Sequence, residues 1–157
     1  IMRYNVDGSV SRISYANAGK IVVADWDNDG KADILATGGI FGNGLVHLKQ
    51  GMGNNDVLVG GENRDTLIGG GGNDTMTGGA GNDVFRFGHD FGNDVITDFG
   101  TGNNTLVFDV VSGVTTAANV LAAAQIVGSD TVITLAGEGS ITLSNFTGLA
   151  LDDITVL

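Results

Sequence analysis

Apolar side chains recur at a fixed beat in the middle of the chain: Leu58, Leu67, Met76 and Phe85 stand nine residues apart. Each sits in a strand-like triplet preceded by six turn-forming residues rich in glycine and asparagine. A period this strict means one short unit stacked on copies of itself, a solenoid, with the repeated apolar residue facing inward to form the thin core of a flattened roll. On either side the pattern is β-prone without the period. Residues 21–24, 32–36 and 45–49 predict strands before it. Residues 105–108, 131–135 and 140–143 predict strands after it, the last two joined by a hairpin turn at 136–139. One helix is expected over 115–125, where alanines follow a threonine able to act as N-cap. It is too short to be stable alone and must dock on the sheet. The fold class expected is all-β: a parallel β-roll, an N-terminal β-hairpin region, and a C-terminal β cap holding one short helix. Three regions follow, residues 1–50, 51–100 and 101–157.

The four repeats read GMGNNDVLV, GGENRDTLI, GGGGNDTMT and GGAGNDVFR, so the sixth position is always aspartate: Asp56, Asp65, Asp74 and Asp83. The first, second and fourth positions favour glycine, as at Gly60, Gly69, Gly70, Gly72, Gly78, Gly79 and Gly81, and glycine there permits positive φ and inward-aimed carbonyls. Met52, Asn54 and Asn63 depart from the pattern, mildly in the case of asparagine, which tolerates the left-handed region. Stacking the units stacks the aspartates into rows, and rows of carboxylates need cations. A glycine-rich linker would not hold aspartate and the apolar position in register through four copies.

This run resembles the RTX (repeats-in-toxin) family, whose GGxGxDxUx motif forms a calcium-binding parallel β-roll. The resemblance implies that two repeats make one coil, that Asp56 pairs with Asp74 and Asp65 with Asp83, and that several Ca²⁺ ions sit between stacked turns. Their ligands would be those carboxylates and the carbonyls of the glycines named above. Hard oxygen donors in a flexible shell suit calcium. Residues 84–87 and 94–99 look like the end of such a roll, where Asp94 would supply a further ligand with Asp90 and Asp98 beside it. Residues 101–157 look like the cap and secretion region of this type I-exported family.

Upstream, Asp25-Trp26-Asp27-Asn28-Asp29-Gly30-Lys31-Ala32-Asp33 alternates carboxylates around a glycine bend. Asp25, Asp27 and Asp29 can converge on one ion, Lys31 can offer its carbonyl, and Asp33 can close the shell. The flanks are β-prone where an EF-hand has helices, and Ala36 stands where that loop has its closing glutamate. The stretch is similar to a single FG-GAP or VCBS-type repeat, a calcium-stapled hairpin.

Composition narrows the functions. Eighteen acids against seven bases give a formal charge of −11, with no basic footprint for nucleic acid. All the bases lie at or before Arg86, and the remaining 71 residues carry eight acids. There is no cysteine, so calcium is the only evident staple. No stretch reaches the ~20 apolar residues of a membrane span. The N-terminus lacks an apolar signal core and does not begin with methionine, so a fragment or processed piece is expected. No zinc-protease, nucleophile-elbow or phosphate-loop motif occurs, and neither His47 nor His89 stands in a catalytic context. The reading is therefore non-catalytic: a secreted, extracellular calcium-binding module, folding on calcium outside the cell, with the type I secretion machinery as partner. Two alternatives stand beside it, a self-assembling filament, surface-layer or adhesin subunit, and an accessory module of a secreted protease, lipase or epimerase.

Overall fold

A computed structural model describes residues 55–109 and 114–157 in full, and the backbone of three short strands at 20–24, 33–37 and 51–52. Strands β1 (Lys20–Ala24) and β2 (Asp33–Thr37) pair antiparallel, with Ala24 opposite Asp33. Strand β3 (Gly51–Met52) opens the repeats. The expected strand at 45–49 lies outside the described residues.

The repeats then alternate between two faces. Strand β4 (Val57–Glu62) lies on one face and β5 (Thr66–Leu67) on the other. The short β6 (Gly70–Gly71) pairs with β3 at a turn. Strand β7 (Thr75–Ala80) stacks in parallel on β4, and β8 (Val84–Phe87) stacks in parallel on β5. Two repeats therefore make one coil, which is the parallel β-roll expected.

The roll runs on past the repeats. Strand β9 (Gly92–Ile96) adds to β7, and β10 (Thr105–Phe108) adds to β8, giving a third coil. The chain then leaves the roll through helix α1 (Ala117–Ala122) and the hairpin strands β11 (Ala124–Val127) and β12 (Asp130–Leu135). It returns with β13 (Gly139–Leu143), antiparallel to β12 but parallel to β9, and ends after a 3-10 turn with β14 (Ile154–Val156), parallel to β10. Strands β13 and β14 thus make a fourth rung on both faces.

Side-chain alternation explains the register. Leu58, Met76, Ile96 and Leu143 form one inward column, and Leu67, Phe85, Leu106 and Ile154 form the other, all buried. A one-residue slip would turn either column outward, so burial fixes the stacking. Toward the cap the core becomes aromatic: Phe87 lies 5.3 Å from Phe91 and 5.4 Å from Phe108, and Phe99 lies 5.1 Å from Phe146, centroid to centroid.

Helix α1 is shorter than the sequence predicts. Thr116 is its N-cap, accepting from the Asn119 N–H at 3.3 Å, and Val120 docks the helix into the core. It stops at Ala122 because residues 124–127 gain a ladder with β12, and sheet pairing overrides the helix propensity of Ala124 and Gln125. Among the described residues no helix is long and apolar enough to cross a membrane.

Candidate metal centre

Each repeat aspartate sits where a turn becomes a strand, and its main chain joins two coils. The Asp56 N–H donates to Asp74 Oδ1 at 2.8 Å, while the Asp56 carbonyl accepts from the Thr75 N–H at 2.8 Å. On the other edge the Asp65 N–H donates to Asp83 Oδ1 at 2.8 Å, and the Asp65 carbonyl accepts from the Val84 N–H. The pairings of Asp56 with Asp74 and of Asp65 with Asp83 are those the RTX resemblance implies.

The first-position glycines have a different job from the one expected. Gly70, Gly72, Gly79 and Gly81, at the second and fourth positions, do have positive φ, and so does Asn63 at 99°. Gly60, Gly69 and Gly78 do not. They are glycines because a Cβ at each would run into Oδ2 of Asp65, Asp74 and Asp83 respectively. The sixth-position carboxylate folds back over the first-position backbone of its own turn, and only a residue without a side chain leaves room for it.

The rows continue where the period lapses. The Asp74 N–H donates to Asp94 Oδ1 at 2.7 Å, and the Asp83 N–H donates to Asn104 Oδ1 at 2.7 Å. One row is therefore Asp56, Asp74, Asp94, and the other is Asp65, Asp83, Asn104, all buried. Asp98 takes another role: its carboxylate accepts the N–H groups of Gly78 and Gly79 at 2.9 and 2.7 Å. Asp90 stands outside both rows, its N–H donating to Glu138 Oε2 at 2.9 Å. His89 is exposed, with Nδ1 3.3 Å from Glu138 Oε1. Sequence reasoning missed Asn104 and a parallel ladder of asparagines, in which the Asn73 N–H donates to Asn55 Oδ1 and the Asn93 N–H to Asn73 Oδ1, both at 2.8 Å. The signal for the third coil is a glycine-asparagine pair before the row position, present at 92–94 and 102–104 as in the third and fourth repeats. Asp25, Asp27, Asp29 and Lys31 lie outside the described residues, and Asp33 opens β2.

A cation fits this arrangement on two grounds. Oδ2 of Asp83 and of Asp94 is buried and accepts no hydrogen bond. A buried carboxylate oxygen without a partner is costly unless a positive charge lies beside it. Without such a charge, burial raises these carboxyls above the ordinary carboxylate range. Burial, opposed by the Asp74 N–H and aided by the Asp74 charge, pushes Asp94 up to about 7. Burial and then the Asp83 charge push Asp65 up to about 6, and burial raises Asp83 as well. The second ground is the donor set. Among the described residues no three His, Cys, Asp or Glu side chains gather as a metal cage. The rest of any shell would be neutral oxygen from main-chain carbonyls, asparagine side chains or water, which calcium tolerates and softer metals do not. Stacked carbonyls are close by: those of Gly61, Gly72 and Gly81 press against Gly79, Gly92 and Gly102 of the next coil.

Comparison with known proteins agrees. Residues 50–85 match the family model described as RTX calcium-binding nonapeptide repeat (4 copies), and such repeats bind Ca²⁺. A search of curated protein sequences returned no match. Among solved structures the chain is similar to the extracellular lipase LipA from Serratia marcescens, at 23% identity and a TM-score of 0.52, over 88% of this chain and 24% of that one. The chain thus spans about a quarter of the lipase's length, and a likeness at this identity speaks for the fold.

Proposed function

From the four RTX calcium-binding nonapeptide repeats of residues 50–85, we propose that this chain is a non-catalytic, extracellular module whose roll folds on calcium. The observation that carries the reading is the buried carboxylate at Asp83 and Asp94, whose second oxygen accepts no hydrogen bond. In calcium-poor cytosol those rows repel and the glycine-rich turns stay loose. At extracellular calcium, ion binding becomes folding free energy, because the sites exist only once the coils are stacked. A chain that folds only on leaving the cell suits export by a type I machinery. Residues 25–33 are proposed as a further calcium site on the strength of their alternating aspartates.

The likeness to a quarter of an extracellular lipase favours a second reading of the context, in which the module follows a secreted enzyme's catalytic part. Calcium titration followed by far-UV circular dichroism tests the primary reading. The β signal and its melting midpoint should rise with calcium and be much reduced in chelator at neutral pH. A chain already fully β-structured in chelator at neutral pH overturns it.

A further inference from the structure

The two carboxylate rows end differently. Asn104 occupies the third rung of its row as Asp94 does in the other, each accepting a main-chain N–H from one coil earlier at 2.7 Å. Both side chains are buried. They part at the second terminal atom. In Asp94 it is an oxygen that accepts no hydrogen bond. In Asn104 it is Nδ2, which donates to the carbonyls of Thr101 at 2.9 Å and Phe99 at 3.0 Å, with the Asp98 carbonyl at 3.5 Å.

The geometry points to Asn104 as a covalent substitute for a bound cation. Three carbonyl oxygens converge on the place where a row aspartate would put its Oδ2. The amide meets them with the partial positive charge of its two protons, so this rung closes with no ion. The amide cannot be reversed, because its oxygen is needed by the Asp83 N–H and its nitrogen by the carbonyls. An aspartate at 104 keeps the first bond but sets a carboxylate oxygen against those carbonyls. Acceptors facing acceptors repel unless a cation lies among them, and oxygen donors in that number begin a calcium shell. Residue 104 therefore decides whether this rung takes calcium, and asparagine decides that it does not.

This inference rests on the calcium reading of the rows above. Native mass spectrometry counts calcium ions per chain, and thermal unfolding is followed with and without calcium, for wild type, Asn104→Asp and Asn104→Ala. Asn104→Asp should bind one ion more than wild type. It should melt well below wild type in chelator at neutral pH and recover most of that loss in millimolar calcium. Asn104→Ala should bind no extra ion, and its loss should be the same in both media. If Asn104→Asp gains no ion, fails to fold in calcium, or loses stability equally in both media, the substitution idea is overturned. A wild-type chain that binds no calcium at all fails the underlying reading instead, which is a separate result.

Discussion

Removing calcium and raising the pH together should unfold the roll, with a sign opposite to that of salt-bridged carboxylates. An aspartate in a salt bridge titrates low, and its protein gains stability as pH rises. Here burial holds Asp94 at about 7 and Asp65 at about 6 against an ordinary value of 3.8. The folded calcium-free chain therefore binds protons more tightly than the unfolded chain. Below about pH 4 both states are protonated and these groups favour neither. Between there and the folded values stability falls, by at most about 4 kcal/mol for Asp94 and about 3 kcal/mol for Asp65 at 1.36 kcal/mol per pH unit. Solvent reaching the turns screens both, leaving a few kcal/mol. That is still a large part of the roughly 5–15 kcal/mol that holds a domain together.

The assay is circular-dichroism melting of decalcified protein at pH 5, 6 and 7.5. The midpoint should fall steadily across the series. The stabilisation added by calcium should grow, because ion and proton compete for the same oxygens. The net charge of −11 gives a slope of the same sign by general repulsion. Asp94→Asn separates the two, since it removes one titration and should flatten the curve between pH 6 and 7.5. A decalcified chain whose midpoint is level or rises from pH 5 to 7.5 refutes the reasoning.

Further outcomes are expected from unfolding in calcium, by heat unless stated. Gly69→Ala places a Cβ against the Asp74 carboxylate, including Cγ at 2.8 Å, and should cost about 1–3 kcal/mol together with calcium affinity. Gly88→Ala, whose Cβ meets only Asp109 Oδ2 at 3.8 Å, is the control and should stay within about 0.5 kcal/mol of wild type. Asn63→Gly relieves a non-glycine φ of 99° and should stabilise the roll by about 1 kcal/mol. Phe85→Ala empties a fully buried column position and should cost about 3–5 kcal/mol, measured by urea unfolding.

The repeat region was legible because one spacing governs both its core and its carboxylates: finding Leu58, Leu67, Met76 and Phe85 also finds the aspartates two residues before them. The third coil was harder because the spacing changes while the positions do not. Asp94 follows Asp83 by eleven residues and Asn104 follows Asp94 by ten, the extra residues being taken up between strands. Gly92 and Gly102 still stack on Gly72 and Gly81, where a Cβ would strike the carbonyl below. A positional reading of glycine, asparagine and row residue finds this coil, and a period does not. The fourth rung leaves no local mark. Gly139 stacks on Gly92 from the far side of an inserted helix and hairpin, and Ile141 stands opposite Asp94 where the row would continue. That pairing is non-local and follows from the sheet alone. The role of Gly60, Gly69 and Gly78 was also hidden, since glycine for φ and glycine for space look identical in sequence.

The ends of the rows follow from what a solenoid must do at its limit. An ion between coils draws its oxygen donors from both, so the last rung of each row must close against something other than a further carboxylate. A stacked fold closes its ends with atypical units, and here each row closes in its own way. One ends when Ile141, fully buried, covers the Asp94 rung with hydrocarbon. The other ends when Asn104 satisfies its carbonyls with its own protons. The core changes in step. Leu58, Leu67 and Met76 line the first coils, and Phe85, Phe87, Phe91, Phe99, Phe108 and Phe146 gather where the carboxylates run out. Aromatic pairs add about 0.5–1.5 kcal/mol each beyond the area they bury. The cohesion that calcium supplies between the repeat coils is thus taken over by ring packing and amide hydrogen bonds where the rows end.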